Sequence, residues 1–389
     1  MSWNDRWRRA VSQAAHSEIA VLGVLLMAAV VCFAAVTALV GRFRLREHVL
    51  AVHLHQRGEA ELAAGQLGRA LEDLRSALRF DPTNYDYQFS LARALAAAGR
   101  PEEATVYFSG LWEQQPQDGS VNLELARLEA GKGRLEQAER YYNNSIYGFW
   151  RKDAAENRRR ARLELVHFFL QQGRFTQAQS ELIAMASGLP PDPGVHLEVA
   201  DLFLKARDPG NALNQYESVL RASRKNRVAL AGAGKAAFDL GRYRTARRYL
   251  EEASELGGLD DESSRMLQTA DLILANDPFR QGLSERERNR RVLRAFQQAG
   301  WRLQQCEGKG LAQHTTAAGP SALPDLQTRW SQLKPKLNPL GLRRNPEVSE
   351  SAMELVYQIE NAAAAECGQP AGLDEALLLM GRDRQGVER

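Results

Sequence analysis

Cysteine is scarce, with Cys32, Cys306 and Cys367 the three in 389 residues, and none belongs to a CxxC pair. That leaves no sequence basis for a thiolate zinc centre or a dithiol redox motif. An excess of charge of one sign is also missing, since 51 Lys and Arg face 48 Asp and Glu for a net charge of +3. No overall field draws the chain to a polyanion, and no nucleic-acid partner is expected. His53 and His55 stand two apart, which on a helix turns them away from one another, so they make no metal pair. The stretch Gly232-Ala233-Gly234-Lys235 lacks the first Gly of the phosphate-loop spacing and a Ser or Thr after the Lys. No constellation with catalytic spacing is present, so the expectation is a non-enzymatic chain without metal or cofactor.

One long apolar run stands out from this hydrophilic background. From Ile19 to Val40, 22 residues pass without a charge. As a helix they cover roughly 33 Å at ~1.5 Å per residue, enough for a bilayer core of about 30 Å. The run is long for the apolar core of a cleavable signal, the alternative reading, although Val36 and Ala38 resemble a cleavage site. Arg6, Arg8 and Arg9 precede the run and Arg42, Arg44 and Arg46 follow it, so flanking charge does not choose the orientation.

Beyond residue 50 the dominant feature is a period. Ala70, Ala104, Ala138, Ala178, Ala212 and Ala246 are separated by 34, 34, 40, 34 and 34 residues. A fixed spacing of this length is the mark of stacked helix pairs. In the first unit Gly58 permits close helix approach, Gly65 supplies a turn, and Asp81-Pro82 ends the second helix. Leu91, Ala92, Gly99, Ala104 and Phe108 stand at matching offsets in the next unit, and Leu125, Ala126, Gly133, Ala138 and Tyr142 in the third. Six repeats follow: 51–84, 85–118, 119–158, 159–192, 193–226 and 227–260. Arg207 replaces the turn glycine of the fifth, Gly258 the terminal proline of the sixth, and Glu61 and Glu129 stand where a bulky residue belongs.

The 40-residue interval contains six extra residues, which implies an extended loop or a lengthened helix. Tyr147, Phe149 and Trp150 cluster there, followed by Arg151, Lys152, Arg158, Arg159, Arg160 and Arg162. The aromatics either plug a gap between repeats beside a solvated arginine face or contact a partner, a role for which Arg and aromatics are suited.

These offsets resemble the tetratricopeptide repeat family over roughly residues 51 to 260. The resemblance implies an all-α fold, a right-handed helical solenoid; the apolar run places one transmembrane helix over 19–40 before it, with a juxtamembrane stretch over 41–50. The resemblance also implies a protein- or peptide-binding groove lined by first-helix side chains. At the matching fifth positions stand Phe89, Leu123, Leu163 and Leu197; at the ninth stand Arg93, Arg127, His167 and Lys235. An apolar stripe beside a basic one would hold an extended peptide or helix; alternatively the apolar residues pack against the neighbouring first helix. The Asn-containing carboxylate clamp of chaperone-binding members is absent.

After the array, capping helices are expected over 261–306, the second opening on a Ser284–Glu287 capping box. A C-terminal helical region over 307–389 follows, with a loop from Glu307 to Pro324, helices at 325–333 and 349–366, and a short helix at LDEALLLM. Cys306 and Cys367 either form a disulfide, worth roughly 4 kcal/mol in the chain-entropy model, or remain buried thiols. The combined expectation is a membrane-anchored scaffold binding other proteins in bacterial envelope assembly, polysaccharide export or secretion. Its soluble part would lie in the periplasm, or alternatively on the cytoplasmic face. The rival readings are an RNA-binding helical repeat and an assembly factor with a redox-active or enzymatic C-terminal module.

Overall fold

A computed structural model describes residues 3–310, 321–345 and 347–386. Its described residues form helices joined by short turns, with no strand among them. The chain divides into two compact units, one ending at Leu165 and the other beginning at Val166.

The first unit holds α1 (Trp3–Ala63), α2 (Leu67–Phe80), α3 (Tyr85–Ala97), α4 (Pro101–Gln114), α5 (Gly119–Gly131), α6 (Leu135–Tyr147) and the greater part of α7 (Ala154–Gln171). The apolar run, the juxtamembrane stretch and the first helix of repeat one are one continuous helix of 61 residues, with no break at residues 41–50. The two ends differ in environment. Leu26, Phe33 and Leu39 are about 70% exposed, whereas Ala51 is buried against Ala77 and Tyr87. Among the described residues this helix alone is long and apolar enough to cross a membrane.

Helix boundaries follow local chemistry. Asn84 and Asp118 cap α3 and α5 by accepting hydrogen bonds from Tyr87 N (3.2 Å) and Ser120 N (2.8 Å), satisfying amides that the first helical turn leaves unpaired. The turn glycines Gly65, Gly99, Gly133, Gly173 and Gly241 have φ between 67° and 73°. Arg207 takes the same left-handed turn at φ 61°, its guanidinium lying 4.3 Å from the Phe175 ring centroid. All six alanines are 0% exposed. Gly58 shows how tight the crossings are, since a Cβ there would lie 2.7 Å from Leu74 Cγ. Glu129 is tolerated at its core position because Lys132 and Arg134 reach it at 3.3 and 3.2 Å.

The second unit continues through α8 (Phe175–Ala186), α9 (Pro193–Lys205), α10 (Pro209–Ala222), α11 (Arg227–Asp239), α12 (Tyr243–Glu255) and α13 (Asp261–Asn276). After these come α14 (Glu285–Gly310), α15 (Leu323–Leu333), a 3-10 turn (Lys334–Lys336), α16 (Pro339–Arg344), α17 (Glu347–Cys367) and α18 (Leu373–Gln385). The stretch Gly232 to Lys235 lies within α11, where Gly232 faces the Tyr216 ring and Gly234 faces Leu250. A single core unites α11 and α12 of the last repeat with the helices that follow. Phe238, Tyr243 and Ala246 belong to the same cluster as Ile273, Phe296, Trp330, Val356 and Leu377. The regions read separately as 261–306 and 307–389 are therefore fused to the array. Tyr243 reinforces the joint by donating its hydroxyl to Asp383 Oδ2 (2.6 Å).

Two local expectations need revision. Ser284 accepts from Glu287 N (3.3 Å), but the Glu287 carboxylate is drawn to Arg290 and Arg291 instead of closing a reciprocal capping box. The loop expected from Glu307 begins later, because α14 continues through Gly310. Residues 311–320 of that expected loop lie outside the described residues.

Candidate partner-binding site

Within the first unit, first-helix side chains of α3, α5 and α7 bring Phe89, Arg93, Leu123, Arg127 and Leu163 to successive levels of the repeat stack. Leu123 is 2% exposed and belongs to the packed interior. Phe89 and Leu163 are half-buried, with Phe89 set edge-on to Phe108 at 5.7 Å between ring centroids. Packing thus consumes Leu123 and leaves Phe89 and Leu163 partly exposed.

The basic stripe is matched by carboxylates. Arg93 lies 3.5 Å from Glu59 and 3.9 Å from Glu124. Arg127 meets Glu124 at 2.9 Å and grips Glu164 with two hydrogen bonds of 2.8 and 2.6 Å. Burial alone would lower the pKa of Arg127, but Glu164 and Glu124 outweigh it and hold the group above its ordinary value. Sequence reading missed Glu124 and Glu164 because it followed the ninth position and not the sixth. A glutamate three residues before Arg127 was the available signal. Replacing Arg127 with Glu should therefore destabilise the unit by about 2 kcal/mol through unpaired and repelling carboxylates. Urea unfolding would show it as a lower midpoint at unchanged slope.

In the second unit His167 is exposed and Leu197 half-buried. Lys235 is held by Asp260 (3.2 Å) and Glu262 (2.6 Å). Arg93, Arg127 and Lys235 are each already paired, which leaves them poorly placed as a row of phosphate contacts.

The insertion is better placed for recognition. It combines a loop over 148–153 with the 18-residue helix α7. The loop is pinned by Phe149 N to Gln117 O (2.7 Å) and by Gly119 N to Phe149 O (2.8 Å), an isolated parallel bridge between Asp118 and Phe149. Arg158 donates to Gly148 O at 3.1 Å.

The three aromatics at the end of α6 and in the loop have separate roles. Trp150 is 9% exposed, donates Nε1–H to Ser145 O (2.9 Å) and fills the space that a side chain at Gly119 would require. Tyr147 and Phe149 remain 74% and 61% exposed. The plug reading thus describes Trp150 and leaves the two neighbours at the surface.

The loop then lays Arg151 across the first-helix face. Its Nη1 donates to Asp86 Oδ1 (2.7 Å), and its guanidinium sits 4.8 Å from the Tyr85 ring centroid. Tyr85 in turn donates to Asp118 Oδ2 (2.9 Å), and burial followed by that carboxylate raises its pKa. The result is a cavity of about 210 Å³ lined by Tyr85, Asp86, Phe89, Asp118, Ser120, Trp150, Arg151, Lys152 and Asn157. Lys152 is exposed and has no ion-pair partner among the described residues. Aromatic walls beside an unengaged ammonium suit a side chain with an apolar body next to a carboxylate.

In the second unit Cys306 and Cys367 are joined by a disulfide whose Cα atoms are 5.6 Å apart. Cys306 is 1% exposed, whereas Cys367 at the end of α17 is half-buried.

Comparison with known proteins places the repeats. Family models for the tetratricopeptide repeat match residues 61–120, 95–144 and 197–261, leaving unmatched the stretch 145–196 that holds the insertion loop. The cellulose synthase operon protein C of Escherichia coli O157:H7 is 25% identical over 197 residues, covering 51% of this chain and 17% of that protein. A tetratricopeptide repeat and J domain-containing co-chaperone of Fusarium oxysporum is 32% identical over 90 residues, covering 23% of this chain and 17% of that protein. This chain thus spans about a sixth of the length of these curated relatives. Among solved structures, pilF of Pseudomonas aeruginosa aligns with a TM-score of 0.40 at 21% identity, covering 56% of this chain and 96% of that one.

Proposed function

Because the chain is a tetratricopeptide repeat protein, we propose that it is a membrane-anchored scaffold that recruits other proteins through the first-helix face around its insertion loop. The observation that carries this reading is the loop itself. It leaves Tyr147 and Phe149 exposed and brings Lys152 to a cavity of about 210 Å³ beside Phe89. An exposed aromatic pair next to a preformed pocket is the composition of an interaction hot spot.

The apolar part of α1 would serve as the anchor. Tethering confines the recognition surface to a bilayer and raises its effective concentration toward membrane partners, so modest contacts suffice. A disulfide between Cys306 and Cys367 fits an oxidising compartment, and we place the soluble part in the periplasm of a bacterial inner-membrane protein. The likeness of half the chain to a protein of a cellulose synthase operon supports a role in polysaccharide export or a related envelope process. The proposal invokes no catalysis.

Crosslinking and purification from native membranes test it. Phe149→Ala combined with Lys152→Glu alters side chains that make no packing or ion-pair contact in the core. The double variant should reach wild-type abundance yet lose at least tenfold of its specifically crosslinked proteins. An unchanged set of partners would remove the loop face from consideration.

A further inference from the structure

A second surface, in the second unit, is built quite differently. Along α14, Arg286, Arg290 and Arg294 recur every four residues, so each guanidinium stem is ~6 Å further along one helix face. Across from them stands Arg343 of α16, and together they border a cleft of about 1000 Å³ with Leu293 and Pro339 among its lining. The contrast with the first-helix cations is in their compensation. Arg127 and Lys235 each meet two carboxylates within 3.2 Å.

Around this cleft the cations outnumber their partners. Glu287 is the one carboxylate in its lining, and Arg290 and Arg291 already share it. Among the described residues Arg294 reaches only the neutral Asn276 Oδ1 at 3.3 Å, and Arg343 has Glu285 at the 4.0 Å limit of an ion pair. Arg286 has no ion-pair or hydrogen-bond partner among the described residues. Arg286 also lies in the first turn of α14, where the helix dipole adds positive potential. In a chain of net charge +3, this concentrates unbalanced positive charge in one concave place.

We propose that this cleft docks an acidic helical segment of a partner protein. Carboxylates at i, i+4 and i+8 on such a segment repeat at the same ~6 Å interval as the arginines, so two turns suffice to engage the row. Leu293 and Pro339 decide between anions. They offer an apolar floor that a peptide's neighbouring side chain covers and that a phosphate chain leaves wet. The proposal requires nothing of the pocket beside Lys152 and stands independently of it.

The full chain in nanodiscs of neutral lipid should be titrated with a fluorescent 16-residue alanine-based helix carrying Glu at three i, i+4 positions and one Leu. A peptide with Gln in place of Glu is the control. Wild type should bind the Glu peptide at least tenfold more tightly than the Gln peptide, and less tightly as salt rises. Arg286→Glu with Arg294→Glu should abolish that preference, and Arg343→Ala should weaken it several-fold. If the charge-reversed variant melts at a lower temperature, Arg286→Gln with Arg294→Gln gives the same comparison without repulsion. Equal binding by wild type and both variants overturns the assignment. So does binding of a single-stranded oligonucleotide or polyphosphate of matched charge as tight as that of the Glu peptide, which would make the cleft a general anion surface.

Discussion

Replacing both Cys306 and Cys367 with alanine should lower the stability of the second unit by about 4 kcal/mol, a fall in Tm of roughly 10 °C. The bond joins the C-terminal part of α14 to the end of α17 across a sequence separation of 61 residues. Closing a loop of that length removes much of the freedom of the unfolded chain, while the folded state gives up little because the helices already pack together. Those helices share one core with the last repeat through Phe238 and Tyr243, so the loss should extend into α11 and α12. Scanning calorimetry of wild type and the double variant checks it. A change in Tm below 2 °C would mean that packing alone holds the C-terminal helices.

The second large effect should come from one carboxylate in the same core. Glu360 is 0% exposed, and among the described residues neither carboxylate oxygen has a hydrogen-bond partner. Burial, and then the charge of Asp374, raise its pKa to about 8 against the opposing effect of Arg302. Burial likewise raises Asp374, against the Gln298 amide, which donates to it at 2.7 Å, and Arg302. Arg302 spends its Nη2 on Gly368 O at 2.7 Å, which leaves Glu360 without a direct ion pair.

The consequence for stability has a definite sign. The folded chain holds the Glu360 proton more tightly than the unfolded chain, so the associated stability is complete below the ordinary glutamate pKa and is lost as pH rises through about 8. Near pH 8 the loss amounts to about 3 to 4 kcal/mol. Glu360→Gln keeps the shape and removes the ionisation. It should raise Tm by on the order of 5 to 10 °C at pH 8 and change it little near pH 4.5. Melting curves of the two proteins across that range test the claim; parallel curves would show that the group stays ionised in the folded chain.

How much of this was legible beforehand differs from residue to residue. The six alanines set the register correctly because a helix crossing leaves no room at those positions, and that demand is written locally in every repeat. The same register located Phe89 and Arg127 on first helices but could not tell which were available. Arg127 is occupied by Glu164, 37 residues away in sequence, and Leu123 is occupied by packing. The insertion was visible as an interval of 40 instead of 34 residues. Its division of labour was not, since Trp150 turns inward only because Gly119 has no side chain to meet it.

By itself the sequence determined the helix-pair repeat, its boundaries near the glycine turns and the apolar helix at the N-terminus. Each depends on periodicity or composition within a few tens of residues. Only tertiary structure decided which charges are spent, which aromatic remains exposed, and that the C-terminal helices complete the last repeat's core. Those outcomes depend on groups brought together across long stretches of chain. Arg286 and Arg127 look alike in sequence; they differ because one faces an open cleft and the other faces two glutamates.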